Sequence, residues 1–385
     1  MTVPISNRND SSYQLSVKGQ NMKLYIDGLF YKASGIGRYY ESIVKELARK
    51  EIMIITCVPQ KYKDYFECDF LNLPSIKPIF VDYEKFSLKG IVKQSFILKK
   101  IAKEVDLLFF PHINFPFFVP KKSIVTIHDL RPFTKYWDRN MLKKYIYTYF
   151  LKRSIKYSEK IICISKTVGS ELIHVFSNVK EKITVIYEFI DDKFVLSEKF
   201  KNPIIKKPYI LFVGNRKKHK NLARLIKAFE KLKDKIPHSL VIAGSRDKNN
   251  DEIDKIKKHF SIENKIIEIT PDDETLKNIY HYADLFVFPS LFEGFGLPPL
   301  ESVALGTPVI LSDIPILKEI FEDAGVYFNP LDENDIAEKI VFVLNDKKIQ
   351  NSLKEKQKER LKTFNKETII KQYIDLFCCV SNQKH

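Results

Sequence analysis

With 385 residues the chain is too long for one ordinary hydrophobic core, since domains cluster near about 100–150 residues, and two or three units are expected. Hydrophobic residues make up 44% and charged residues 29% of it, which excludes a disordered, collagen-like or disulfide-scaffold protein. Lys and Arg number 64 against 48 Asp and Glu, a formal net charge of +16, so an anionic partner must be accounted for: nucleic acid, a membrane surface or a phosphorylated small molecule.

Residues 1–21 are polar and lack an apolar signal core, so they read as a flexible N-terminal extension and no export is expected. Residues 22–200 then alternate strand and helix patterns. "KLYIDGL" is a strand, "GIGRYYESIVKELARK" a helix opened by glycines, and "IMIITCVP", "IKPIFVD", "DLLFFP", "SIVTIHD", "KIICIS" and "ITVIY" are further strands. The apolar stretch 107–120 holds three prolines and falls short of the ~18–20 residues of a spanning helix. Two prolines and four lysines in "LSEKFKNPIIKKP", residues 196–208, suit a linker between domains. A second alternation fills 201–365 with strands "YILFVGN", "SLVIAG", "KIIEIT", "DLFVFPS" and "PVILSD" and helices between them, among them "NLARLIKAFEKLKDKI". Residues 366–385 form an amphipathic helix available to pack back on the first domain. This rhythm predicts an α/β chain of two Rossmann-like domains with parallel sheets. Five cysteines without metal-ligand spacing fit a reducing cytoplasm.

In such sheets ligands collect beyond the carboxyl ends of the strands, at helix N-termini. The strongest pattern there is "FPSLFEGFGLPPLESVALGTPVI". Gly294 and Gly296 flank Phe295 in a strand-to-helix turn that ends at Leu297, and two prolines start the helix, where their missing N–H costs nothing. Backbone amides of such a turn make a phosphate cradle. Glu293 and Glu301 bracket it, and a carboxylate beside phosphate is better employed accepting hydrogen bonds from sugar hydroxyls; the alternatives are a solvated loop charge and a first-turn helix charge. "FVGNRKKHKNL" places Gly214 and Asn215 in a turn followed by Arg216, Lys217, Lys218 and Lys220. Arg216 and Lys220 are the candidates for a diphosphate, as a fork and a point charge, against the alternative of a solvated basic turn. "YKASGIGRYY" puts Gly35 and Gly37 at a strand-to-helix junction, as a ligand loop or as helix-cap glycines. "IVTIHDL" sets His128 and Asp129 at a strand's carboxyl edge, as a cleft pair or with a structural histidine. The P-loop, zincin and nucleophile-elbow motifs are absent.

These residues resemble glycosyltransferase family 4, the retaining, nucleotide-sugar-dependent enzymes of GT-B fold, from about Met22 onward. "SGIGRY", "VTIHDL", "FVGNRKKHKNL" and "EGFGLPPLE" are most similar to bacterial mannosyltransferase-type enzymes of surface-polysaccharide assembly. The resemblance implies two domains facing a central cleft, with the acceptor on the first and the nucleotide-sugar donor on the second. It implies that Glu301 holds the donor ribose and Glu293 the transferred sugar, and that Gly294, Phe295, Gly296 and Leu297 meet sugar and diphosphate. Lys220 would neutralise the leaving phosphates, His128 would lie near the anomeric centre, and Gly37 beneath the diphosphate. Two departures stand out: Asn215 occupies a position where many members have arginine, which comes next as Arg216, and Glu188-Phe189 replaces the usual Asn-Gly.

The expected activity is a retaining, metal-independent transfer, with no cofactor, of mannose from GDP-mannose or another sugar to a saccharide or lipid-linked acceptor. Asp129 is the acceptor-side candidate. A catalytically silent sugar-nucleotide sensor and a nucleic-acid-binding protein are the competing classes; no nucleic-acid motif supports the second, and no nucleic-acid partner is expected. Residues 139–160, "RNMLKKYIYTYFLKRSIKYSEK", carry seven Lys/Arg against one acid with aromatics interleaved. They suit either the anionic inner face of the plasma membrane, with the protein cytoplasmic and peripheral, or a helix that buries its aromatics.

Overall fold

The structure, a computed structural model, describes residues 22–137, 140–194, 200, 202–245 and 251–383. The extension 1–21 and residues 195–199 and 201 of the linker region lie outside the described residues.

The first half comprises β1 (Lys23–Asp27), α1 (Ser34–Arg49), β2 (Met53–Pro59), α2 (Lys63–Asp69), β3 (Ile76–Val81), α3 (Leu88–Ile101), β4 (Leu107–Phe110), β5 (Ser123–Ile127), α4 (Met141–Tyr157), β6 (Lys160–Cys163), α5 (Lys166–Val175) and β7 (Ile183–Val185). The second comprises β8 (Tyr209–Val213), α6 (Leu222–Glu230), β9 (Ser239–Ala243), α7 (Asp251–His259), β10 (Ile266–Ile269), α8 (Asp273–Tyr282), β11 (Leu285–Phe288), α9 (Leu297–Ala304), β12 (Val309–Ser312), α10 (Pro315–Phe321) and β13 (Val326–Phe328). Helices α11 (Glu333–Asn345), α12 (Lys347–Leu361) and α13 (Lys366–Asn382) follow.

Near-continuous apolar runs make these strands, because both faces of each sheet are covered: every residue of β4, β5, β11 and β12 is buried. Short polar side chains start many of the helices. Ser87, Asn140, Ser165, Asp272, Asp332, Asp346 and Asn365 each accept a hydrogen bond from a first-turn amide. All pairings are parallel, and the orders β3-β2-β1-β4-β5-β6-β7 and β10-β9-β8-β11-β12-β13 repeat one Rossmann pattern. Strand order therefore reverses between β1 and β4, and again between β8 and β11, and the two crevices at those reversals are where ligands bind in such sheets.

Two details depart from the sequence reading. Strand β13 was not among the expected strands: three residues are too few to show a period. Helix α6 stops at Glu230 although the helical pattern runs on to Ile236; residues 231–235 continue as turns, with the Leu232 and Lys233 amides donating three residues back to Phe229 and Glu230.

Helix α13 lies on the first sheet. Tyr373 shares a 2.7 Å hydrogen bond with Tyr39 of α1, and the Phe377 ring sits 5.1 Å from Phe109 of β4. Each fully buried aromatic of this kind contributes about 1.5–3 kcal/mol of transfer free energy. One apolar core runs from the first sheet through α13 into the face of the second domain that carries α8, α9 and α10, and a second core fills the opposite face.

Candidate active site

At the end of β8, Gly214 donates to the Ala243 carbonyl and packs against Gly244, whose φ of +142° and 2.2 Å approach of an added Cβ to the Gly214 oxygen both require glycine. Asn215 caps the turn by accepting from the Lys217 amide at 3.3 Å. The basic residues lie not on a helix but on a short turn before it, Lys218–Lys220, and Asn221 in left-handed conformation leads into α6. The Asn221 amide donates to the carbonyls of Pro289 (3.0 Å) and Pro330 (2.7 Å), tying this turn to the end of β11. Lys220 is thereby set across the strand-order reversal from Glu293, with Nζ 2.6 Å from the carboxylate.

Arg216 takes another course from the one expected. Its buried guanidinium bonds Glu268 of β10, which also receives Lys257, so the two cations proposed to share a diphosphate are committed to different carboxylates. Burying a guanidinium demands a carboxylate partner, and the next strand supplies one.

The glycine turn after β11 is one place where the two domains touch. A Cβ on Gly294 would lie 2.0 Å from the His128 carbonyl oxygen of the first domain, so only glycine fits. Ser165 Oγ donates to the Gly294 carbonyl at 3.2 Å. Glu319 of α10 reaches across to accept from the Lys166 amide (2.6 Å), the Thr167 amide (2.7 Å) and the Thr167 hydroxyl (2.5 Å), capping α5 of the opposite domain. Phe295 is buried against Tyr187 and Phe364. Gly296, with φ +113°, caps α9, whose first amides have no carbonyl within the helix to bond.

Glu301 lies one turn inside α9 and is 4% exposed. Tyr280 donates to one carboxylate oxygen at 3.0 Å and Arg38 of α1 to the other at 3.1 Å. Burial pushes the Glu301 carboxyl above the usual carboxylate range, and the Arg38 charge and the Tyr280 hydroxyl offset only part of this.

On the first domain His128 Nε2 bonds the Pro111 carbonyl at 2.8 Å, its Nδ1 is 3.5 Å from Glu188, and Tyr39 meets its ring edge-on at 4.6 Å. Asp129 accepts from the Arg131 amide at 3.0 Å, an internal role within its own loop. Gly37 packs inside the turn after β1, where a Cβ would come within 2.8 Å of the Phe30 carbonyl, whereas Gly35 faces open space.

A cleft of about 310 Å³ opens between the domains, lined by Arg38, Glu188, Lys193, Asp273, Leu297 and Glu301 among others. Of the expected residues Leu297 and Glu301 line it, whereas Lys220, Glu293, Gly294 and His128 are not part of its lining; Gly294 meets the His128 carbonyl at a separate contact between the domains. Three polar groups, of which Arg38 and Glu188 line the cleft, were not anticipated. Arg38 stands inside the "SGIGRY" motif, but its partner lies 263 residues away. Glu188, given no role in the sequence, faces His128. His219 accepts a 3.0 Å hydrogen bond from Arg131 across the domains, and burial lowers its pKa to about 4, which keeps the ring neutral as an acceptor. Among the described residues, no three His, Cys, Asp or Glu side chains form a group able to hold a metal ion, and no helix is long and apolar enough to cross a membrane.

Residues 33–194 match the family description Glycosyltransferase Family 4, and residues 196–360 match Glycosyl transferases group 1. The O-antigen chain mannosyltransferase RfbU of Salmonella typhimurium is 28% identical over 78% of this chain and 85% of its own length. A Campylobacter jejuni enzyme named as an N-acetylgalactosaminyltransferase acting on a diphospho-undecaprenol saccharide is 24% identical over 80% of this chain and 84% of its own. The fold is shared with WaaG, a glycosyltransferase of lipopolysaccharide biosynthesis (TM-score 0.71, 13% identity, 92% and 99% of the two chains), and with Anabaena HepE in complex with UDP and glucose (0.75, 15%, 93% and 100%). The chain belongs to the family 4 and group 1 glycosyltransferases and has their GT-B fold.

Proposed function

We propose that the protein moves a sugar, mannose from GDP-mannose being favoured, from a nucleotide-sugar donor to a saccharide or lipid-linked saccharide in cell-surface polysaccharide assembly. The transfer retains the anomeric configuration and needs no metal. The observation that supports this reading is the seating of Gly294 on the His128 carbonyl, which brings the glycine turn that carries Glu293, paired with Lys220, against the first domain. The names of relatives from Salmonella and Escherichia coli support mannose, and those relatives act on O-antigen chains by name; the galactosaminyl relative keeps the sugar a matter for experiment.

In this reading Glu301 accepts hydrogen bonds from the donor ribose, releasing Arg38 toward the diphosphate. Lys220 exchanges Glu293 for a leaving phosphate oxygen, and Glu293, freed, accepts from hydroxyls of the transferred sugar. The bond from the anomeric carbon to the leaving oxygen breaks as the acceptor oxygen bonds the same face of that carbon, and the departing phosphate takes the acceptor proton. Lys220 and the α9 amides stabilise the charge gathering on the leaving group, a preorganised effect worth about 3–4 kcal/mol per donor group. His128, fixed by Pro111 and Tyr39, lines the reacting centre. Arg216 acts at one remove, holding β10 to the basic turn.

Thermal unfolding with GDP-, UDP- and ADP-sugars tests the donor, because a ligand at a hundred times its Kd stabilises by about 2.7 kcal/mol. GDP-mannose is expected to stabilise most. No stabilisation by any nucleotide sugar would overturn the transferase reading, an inverted product configuration by NMR the retention, and loss of turnover in chelator the metal independence.

A further inference from the structure

The large hydrophobic side chains left in solvent are not scattered. Of the seventeen among the described residues, eleven fall between residues 88 and 157 of the first domain. Leu88, Val92 and Phe96 recur every fourth residue along α3, a stripe pointing away from the buried Ile91, Gln94, Leu98 and Ile101, with Leu88 77% and Phe96 63% exposed. On α4, Leu142 (66%), Tyr145 (69%), Ile146 and Tyr149 share a second exposed face, and the helix buries nothing before Phe150. Phe117 and Phe118 fill the space between the two. The Phe118 amide donates to Ser95 of α3 at 3.1 Å, and Arg153 of α4 donates to the Pro116 carbonyl at 2.9 Å and lies 5.4 Å from the Phe117 ring. The three segments therefore form one surface.

The three segments carry charge of one sign, and the acid that meets them, Asp82, pairs with Lys89 and Lys93 of α3 at 2.9 Å. Residues 88–101 hold four lysines, 115–122 two, and 141–157 four lysines and Arg153, with no acid in any of them. A single contiguous apolar area rimmed by cations is unlike the dispersed leucines of an ordinary surface. Tyrosines and phenylalanines with lysines beside them match the depth profile of a bilayer interface, where rings enter the headgroup layer and long cationic stems reach phosphates. The residues 139–160 singled out in the sequence supply six of these eleven side chains. The fold adds the α3 stripe and the phenylalanine pair.

We propose that α3, residues 115–122 and α4 dock the first domain on an anionic lipid surface. The placement suits the cleft. Tyr147, on the inner side of α4, donates to the Asp129 carbonyl at 2.7 Å, so the docked helix lies directly beside the loop that carries His128. A helix is about 10–12 Å across with its side chains, which puts a membrane-borne acceptor within reach of the cleft without the chain entering the bilayer. The inference rests on exposure and charge rather than on the transferase reading, and it can fail or stand alone.

Vesicle flotation of the full chain is the test, with phosphatidylcholine alone and with added phosphatidylglycerol. Recovery should be at least about tenfold greater on the anionic vesicles and should fall in high salt. Replacing both Lys143 and Lys144 with serine should weaken binding by roughly fivefold per lysine. Phe96→Ser with Leu142→Ser should weaken it on every vesicle. All four side chains are exposed or half-exposed, so the melting temperature should hold and show the variants folded. Equal recovery on neutral and anionic vesicles would overturn the proposal. So would variants that float like the wild type, or a dimer in sedimentation that masks these side chains and leaves vesicles unbound.

Discussion

Replacing Gly294 with alanine adds one methyl group at the contact between the domains. That carbon would lie 2.0 Å from the His128 carbonyl oxygen and 3.1 Å from its carbon, where a real Cβ stays beyond 3.0 Å. The glycine turn must retreat by about 1 Å, and nothing flexible can yield, since both partners are backbone. Retreat stretches the 3.2 Å bond from Ser165 out of hydrogen-bonding range and carries Glu293, and with it Lys220, away from the first domain. A misplacement of about 1 Å at a reacting centre can cost about a hundredfold in rate, so kcat should fall by about that factor. Donor KM should change far less, because the proposed donor contacts lie mainly on the second domain, whose own core the methyl does not touch. Steady-state kinetics with the donor varied separates the two constants, and small-angle scattering with donor present should show a more open particle. A turnover number equal to the wild type would refute the reasoning, since it would mean that the reacting state does not contain this contact.

Lys220→Ala should lower kcat by roughly two orders of magnitude with the fold intact, as loss of one preorganised charge partner does; near-normal turnover would remove Lys220 from the leaving-group site. Glu301→Ala should raise donor KM; Arg38 is half-exposed and regains water, while the buried Tyr280 hydroxyl loses its acceptor at a cost of about 1–3 kcal/mol of stability, and an unchanged KM would reduce Glu301 to an interdomain charge. The lowered pKa of His219 makes a pH prediction. Its neutral form is favoured in the folded state, so that stability is complete above pH 6.5 and is lost as pH falls toward about 4, by about 3 kcal/mol at most. Melting temperatures across that window should drop less steeply in His219→Asn, and identical slopes would exclude the ring as the source.

What the sequence made legible was local. Apolar runs such as "SIVTI" and "LFVF" can only be buried strands of a covered parallel sheet, and the glycine-proline turn before α9 needs no tertiary information to be recognised. What it concealed depends on distance. Arg38 lies one turn inside α1 like any helical surface cation, and only folding brings it to Glu301. Arg216 and Lys220 are four residues apart and were assigned to one anion, but the turn between them sends the first to β10 and the second to the end of β11. Glu188 breaks the family's pattern, so the resemblance offered it no role, and its position against His128 emerges only from the packing of the two segments.

Because α13 covers Phe109 and Tyr39 of the first sheet, the first domain is completed by residues that leave the ribosome after the whole second domain. During synthesis its apolar face on β4 and α1 stays uncovered while about half the chain is still to be made, a period in which exposed core invites misassembly. The second domain must fold as an insert between two parts of the first, and the last helix then acts as the clasp that closes the product. A chain truncated before Tyr373 should therefore fail in the first domain, although the deletion lies beyond the second in sequence.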